Sequence, residues 1–250
     1  GGGTTKKPGR RRGARPKMCA APGAAAAVLL GCGTFFLVKC AKPRYNGVMN
    51  RPDYDKLMQA EIGALKGCRP RLLLHSCCAP CSSACLERLK DSFKVTVFYY
   101  NPNIEAGEYE VRKAEQLRLL EETGWADALD CDHESQEFYR IAEGLEGAPE
   151  GGARCMKCYR LRLERTAAEA KRLGYEYFAT TLTISPQKSA AALNAIGGEL
   201  EREYGVKWLH TDFKKRGGYL RSCELAREHR LYRQDYCGCE FSRRARTCND

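Results

Sequence analysis

Arg71-Leu-Leu-Leu-His-Ser-Cys-Cys-Ala-Pro-Cys-Ser-Ser-Ala-Cys-Leu-Glu-Arg-Leu-Lys90 is a short apolar run that opens directly into four cysteines, Cys77, Cys78, Cys81 and Cys85. Leu72, Leu73 and Leu74, bounded by turn residues, read as a buried strand over 70–75. Pro80 and the Ser82/Ser83 pair suit a helix start just beyond, and the spacing predicts a helix over 82–91. The thiols therefore sit where a strand hands over to a helix. Open α/β sheets bind ligands at that carboxyl end of a strand, and a helix N-terminus favours the thiolate that a metal needs.

Upstream, Leu57, Met58, Ile62 and Leu65 give 52–67 a helical period. Downstream, 94–100 reads as a second strand and 101–104 as a loop at its end. A helix is expected over 108–123, with Tyr109, Arg112, Glu115, Leu119 and Leu120 in register and Gly124 as its stop. A short strand over 126–130, a helix over 134–143 and a Gly-rich loop over 144–152 follow. Next come a long helix over 155–173, a strand over 175–180, a polar loop over 181–189, a helix over 190–204 and a strand over 206–210. Residues 217–231 close the pattern as a helix. The alternation predicts an α/β fold, a Rossmann-like (nucleotide-hydrolase-like) parallel sheet of about five strands with flanking helices and a helical C-terminal segment.

The 250 residues are 43% hydrophobic, enough for a proper core. Fifteen cysteines, an odd number with adjacent and Cys-x-x-Cys spacings, speak for metal or redox chemistry over a secreted disulfide scaffold. The formal charge of +11 is unevenly placed: ten Lys/Arg and no acid fall in 1–48, which leaves 11 − 10 = +1 for 49–250. Within the remainder, 105–150 holds fourteen acids against four bases, whereas 214–246 holds ten bases against four acids. The basic segment reads as a phosphate-facing surface or as a solvated helix face, and charge alone leaves both open. An Ala-rich apolar stretch at 20–38, with Leu29-Leu-Gly-Cys32, resembles a signal or lipoprotein leader. Composition changes sharply at Met49, and export would oxidise the thiols. The expectation is therefore a disordered or spurious leader over 1–48, one domain over 49–242 and a flexible tail over 243–250. Beyond the leader no apolar run reaches the ~18 residues of a membrane helix, so a cytoplasmic protein is expected.

Three cysteine groups carry the chemistry: Cys77-Cys78 with Cys81, Cys155-x-x-Cys158, and Cys237-Gly-Cys239. Four thiolates suit a structural zinc or a [4Fe–4S] cluster; adjacent Cys77 and Cys78 favour the cluster, which spreads its ligands over different irons. Cys237 and Cys239 can close on each other only in a small strained ring, which suits a pair that passes two electrons; ordinary buried cysteines or a metal ligand are the alternatives. Cys68, Cys85, Cys131 and Cys223 read as small core residues. His75 could donate to a cluster sulfur or be a satisfied histidine at a strand end. Tyr99, Tyr100, Asn101 and Asn103 suit a splayed base, with core packing the alternative for Tyr99. Thr180, Thr181, Thr183, Ser185, Gln187 and Lys188 form a polar loop on the same edge, where Lys188 could meet a phosphate; a turn with Ser185 as helix cap is the plainer reading.

Five motifs, in this order, closely resemble the QueH family of epoxyqueuosine reductases: Leu72-Leu-Leu-His-Ser-Cys-Cys-Ala-Pro-Cys81, Val97-Phe-Tyr-Tyr-Asn-Pro-Asn-Ile104, Arg154-Cys-Met-Lys-Cys-Tyr159, Phe178-Ala-Thr-Thr-Leu-Thr-Ile-Ser-Pro-Gln-Lys188 and Tyr236-Cys-Gly-Cys-Glu-Phe-Ser242. The resemblance covers roughly 50–242. It implies an oxidoreductase that reduces epoxyqueuosine at the wobble position of tRNA, the last step of tRNA queuosine biosynthesis. It further implies a [4Fe–4S] cluster on Cys77, Cys78, Cys155 and Cys158, with Cys237 and Cys239 as a redox-active pair. Cys81 stays unassigned, and with His75 or an acid it could hold a second metal. The implied partners are tRNA carrying epoxyqueuosine in its anticodon loop and an unidentified electron donor. Two rivals remain. An iron–sulfur tRNA-thiolating enzyme of nucleotide-binding fold would want a Gly-rich phosphate loop where Cys-Cys-Ala-Pro-Cys stands, and a zinc-stabilised RNA-binding module would need no redox pair.

Overall fold

The structure is a computed structural model that describes residues 52–247; the leader expected over 1–48 lies outside them. Five strands form: β1 (Arg71–His75), β2 (Lys94–Phe98), β3 (Asp127–Leu129), β4 (Tyr177–Thr180) and β5 (Lys207–Trp208). They make one all-parallel sheet in the order β3-β2-β1-β4-β5, the Rossmann-like architecture that the alternation predicts. The helices are α1 (Tyr54–Ala64), α2 (Ala79–Leu89), α3 (Ala106–Thr123), α4 (Ser135–Ala142), α5 (Ala153–Leu173), α6 (Ala190–Tyr204), α7 (Gly218–Glu228) and α8 (Glu240–Thr247).

Side-chain alternation along β1 sends Leu72 and Leu74 to one face of the sheet and Leu73 to the other, and helices cover both. Leu72 and Leu74 join Val95, Val97, Leu86, Leu89 and Leu225 in a core beneath α2 and α7. Leu73 joins Phe98, Leu163, Phe178, Leu193 and Trp208 beneath α5 and α6. All three leucines are fully buried, each contributing roughly 1.5–3 kcal/mol. Burial on both faces is why the strand reads as a continuous apolar run.

The chain runs outward from β1 through β2 to β3, then returns to place β4 on the other flank of β1. The sheet's order therefore reverses between β1 and β4, the point where such folds bind ligands. His75 pairs in register with Phe98 on β2 and with Thr180 on β4. Ser76 to Cys78, Tyr99 to Asn101 and Thr181 consequently leave the sheet side by side.

Several boundaries differ from the sequence reading. Helix α2 starts at Ala79 rather than 82, because Pro80 fits the first turn, where its missing N–H has no intrahelical partner to lose. Cys78 is then the extended N-cap and Cys81 lies inside the helix. Ser185 caps no helix: it closes a short 3-10 turn, Thr181–Ile184, while Ser189 caps α6 by accepting from the Ala192 N–H at 3.2 Å. Helix α8 was not legible, and it carries helical structure into the expected tail as far as Thr247.

Candidate active site

The turn after β1 is fixed from below by hydroxyls. The Ser76 N–H donates to the Phe98 carbonyl at 3.0 Å, prolonging the β1–β2 pairing by one residue. Ser76 Oγ (2.7 Å) and Ser82 Oγ (2.8 Å) both donate to Gln116 Oε1 on α3. The turn and the first turn of α2 are thus tied to one amide. Cys77, Cys78 and Cys81 converge above it, their sulfurs all within 4.8 Å of one another and 3.8 Å apart for Cys77 and Cys78. Thr181 accepts from the Cys77 N–H at 3.4 Å and donates to its sulfur at 3.7 Å. Gln234 Nε2 donates to the Cys78 sulfur at 2.8 Å.

Proton affinities within the trio diverge. Hydrogen bonds from Cys78 and Cys81 hold the Cys77 thiol well below the usual range; burial opposes them, and Arg162 and Lys188 add to the lowering. Cys78 and Cys81 are pushed up, first by sharing a proton with Cys77 and then by burial. Cys78 and Cys81 are thus set to donate toward the Cys77 sulfur.

Cys155 and Cys158 lie at the start of α5, where the Gly151 N–H donates to the Cys155 sulfur at 3.3 Å. Burial raises both thiols, that of Cys158 to about 11 against the opposing charge of Arg162. Cys158 and Cys239 share an apolar cluster with Phe138 and Ala142, against which Phe241 of α8 packs. Cys237 is pulled down to about 5, first by a hydrogen bond from Cys239 and then, against burial, by Lys188 and Arg162; Cys239 rises in return.

The loop that carries it is anchored by α3. Arg112, 2% exposed, donates to the carbonyls of Cys237 (3.1 Å) and Tyr236 (3.4 Å) and pairs with Glu108 at 2.6 Å. Gly238 sits at φ +105°, and a Cβ there would fall 3.0 Å from both Arg112 Nη1 and Ile104 Cγ1. Only glycine satisfies both the backbone angle and the close approach.

Cys77, Cys81 and Cys237 open together onto a cavity of about 520 Å3, lined also by Arg162, Lys188, Gln234 and the ring of Tyr219. Lys188 stays charged because the sulfurs of Cys237 and Cys77 outweigh its burial. The cavity thus combines soft thiolate donors with a cationic wall.

The structure therefore joins Cys81, which the sequence left unassigned, to Cys77 and Cys78. Cys155 and Cys158 are not part of that sulfur group; Cys158 shares the apolar cluster of Cys239, and the charge of Cys237 raises the thiols of both Cys155 and Cys158. His75 is a core histidine, fully buried, with Nδ1 2.8 Å from Thr180 Oγ1 and Nε2 3.1 Å from the Tyr100 carbonyl and 3.2 Å from Arg162 Nε. Burial and then Arg162 lower its pKa to about 3, so it offers no proton near neutrality. Tyr99, Tyr100, Asn101 and Asn103 are buried; Asn101 donates to the Ser76 carbonyl and accepts from Arg162, while Tyr100 and Tyr99 each line a cavity other than the one onto which the cysteines open. Cys85 packs within α2, as expected, its thiol donating to the Cys81 carbonyl. Arg112, Arg162 and Gln234 were missed. Arg162 had a signal, standing four residues after Cys158 and seven after Cys155 on one helical face, whereas Gln234 and Arg112 reach the site only through long-range packing.

A thiolate-bound metal fits this donor set. Three converging sulfurs are soft ligands, a charged lysine and a buried arginine line the same cavity, and Tyr99 Oη is buried without a partner. An inorganic sulfide would give that hydroxyl an acceptor.

Comparison with known proteins gives a consistent result. A family model described as "Epoxyqueuosine reductase QueH" matches residues 72–245. A protein of that name from Streptococcus pyogenes is 41% identical over 198 residues, 76% of this chain and 78% of the relative. Its namesake in Staphylococcus epidermidis is 38% identical over 200 residues, 76% of this chain and 84% of the relative. The one in Thermotoga maritima is 36% identical over 178 residues, 68% and 89% respectively.

Proposed function

The chain belongs to the epoxyqueuosine reductase QueH family, and on that premise we propose that it reduces epoxyqueuosine to queuosine in tRNA with the thiols of the β1–β4 crevice as its redox centre. The observation that carries this reading is the cavity onto which Cys77, Cys81 and Cys237 open together. Cys77, Cys78, Cys155 and Cys158 would hold a [4Fe–4S] cluster, which supplies Lewis acidity toward an epoxide oxygen and a route for electrons. Cys81, beside Cys77 and Cys78, is the thiol through which a second ion would be held.

The remaining chemistry falls to the chain's own groups. Converting the epoxide to the alkene consumes two electrons and two protons and releases water. Oxidation of the Cys237 thiolate and the Cys239 thiol to a disulfide releases two electrons and one proton, and the second proton comes from water, so the balance closes. An external reductant then restores the thiols. The low proton affinity of Cys237 and the high affinity of Cys239 suit them to act as electron-rich thiolate and proton donor. Lys188, charged and on the cavity wall, would stabilise negative charge on the departing oxygen. The basic segment 214–246 would meet the phosphates of the anticodon loop. No helix among the described residues is long and apolar enough to cross a membrane. Reduced thiols and a tRNA substrate are consistent with work in the cytoplasm.

The test is genetic. tRNA from cells that lack the protein should accumulate epoxyqueuosine, and re-expression should restore queuosine. Normal queuosine in the deleted strain, with no second reductase present, refutes the assignment.

A further inference from the structure

Arg162 lies on α5, one helical turn beyond Cys158, and is 1% exposed. Its Nε donates to His75 Nε2 and its Nη2 to Asn101 Oδ1. Both acceptors are neutral, and among the described residues no carboxylate pairs with it. Arg112, a second buried arginine on this cavity, is 2% exposed and carries Glu108 at 2.6 Å. A cation removed from water without an anion is costly. The groups that act most on its charge are the sulfurs of Cys158, Cys77 and Cys237. It also lines the same cavity as Cys77 and Cys237.

We propose that Arg162 is the internal counter-ion of the metal centre, and that its charge raises the centre's reduction potential. The inference rests on the cluster reading above. Metal-bound thiolates stay anionic whatever the pH, so a bound centre would give the buried guanidinium the permanent anionic partner that neither His75 nor Asn101 provides. Each electron that the centre accepts adds negative charge beside a fixed positive one, so reduction is favoured. Arg162 is a positioning residue in this account, acting through the sulfurs rather than on substrate.

The wild-type chain, Arg162→Gln and Arg162→Lys are loaded anaerobically with iron and sulfide and compared by iron content, by thermal unfolding and by redox titration followed by absorbance and electron paramagnetic resonance. Glutamine is neutral yet keeps hydrogen-bond donors for His75 and Asn101. At a fixed ambient potential the reduced-to-oxidised ratio of Arg162→Gln should fall at least tenfold, a shift of 59 mV to more negative potential for a one-electron couple. Arg162→Lys should stay within threefold of wild type. Iron lost from Arg162→Gln but kept by Arg162→Lys, with both chains folded, supports the same conclusion. Should Arg162→Gln fail to fold, Arg162→Met, which cannot leave an unpaired amide, is read in its place with the same expected sign. An unchanged potential in the loaded neutral variant overturns the proposal, as does equal loss of iron in both variants. A wild-type chain that takes up no iron sinks the cluster reading itself, and the role of Arg162 with it.

Discussion

Arg112→Met should release the loop that carries Cys237 and Cys239. The guanidinium makes one well-placed hydrogen bond to the Cys237 carbonyl at 3.1 Å and a longer one to Tyr236 at 3.4 Å. Hydrogen bonds to charged groups contribute about 1.5–3 kcal/mol, and the longer one is taken at half that. Losing the Glu108 pair is partly offset, because the substitution also removes the arginine's own desolvation cost, and Glu108 keeps the Tyr232 hydroxyl at 3.2 Å. The net weakening of the docked loop is about 3 kcal/mol, which is roughly a hundredfold in the opening equilibrium since 1.4 kcal/mol is tenfold. Only the segment beyond Tyr232 depends on this anchor, so the opening is local and the global transition should move little. Amide exchange provides the assay. The Glu105 N–H donates to the Gly238 carbonyl at 3.1 Å and reports the docked state. Its exchange should accelerate about a hundredfold, with turnover falling, while amides in β1 keep wild-type protection. Unchanged exchange at Glu105 refutes the anchoring role of Arg112.

Two further outcomes are expected. Cys239→Ser should keep wild-type iron but stop multiple turnover, because the dithiol can no longer close; loss of iron in that variant would make Cys239 a ligand instead. Asp55, on α1, is buried, which alone would raise its carboxyl, but hydrogen bonds from Arg88 (2.5 Å) and Arg216 (2.7 Å) outweigh that and lower it below 3.8. Stability from a depressed carboxylate is present above its unfolded pKa and lost as pH falls through the folded one. Asp55→Asn should therefore cost about 2 kcal/mol at pH 7 in denaturant unfolding, and the difference from wild type should shrink below pH 3.8. An equal difference at pH 7 and pH 3 contradicts it.

The sheet was legible because its evidence is local. Leu72 to Leu74 are apolar on both faces, and Gly124 and Gly174 end α3 and α5 in left-handed conformations that few other residues accept. Boundaries were less so. Reading α2 from 82 left Cys81 in a turn; its true start at Ala79 places Cys81 within reach of Cys77 and Cys78. The short-range cysteine spacings announced the site, but the groups around it come from distant segments. Gln234 meets Cys78 across 156 positions and Arg112 meets Cys237 across 125, contacts that no periodicity encodes. The position of Tyr99 to Asn103 at a strand end was readable, but their burial was not, since it depends on how α3 and α5 close over that end. Arg162 was within reach of a sequence argument from its spacing to Cys158; the missing step was to ask what anion an arginine on a buried face would pair with.

The most direct measurement of the central claim is conversion in a defined system. The chain, loaded anaerobically with iron and sulfide and given a chemical reductant, is incubated with tRNA that carries epoxyqueuosine, and the nucleosides are then analysed. Queuosine should appear with the loaded chain and disappear when iron is withheld or when Cys77, Cys78, Cys155 or Cys158 is replaced by alanine. Unchanged epoxyqueuosine with a fully loaded, folded chain, or equal conversion by the iron-free protein, contradicts it.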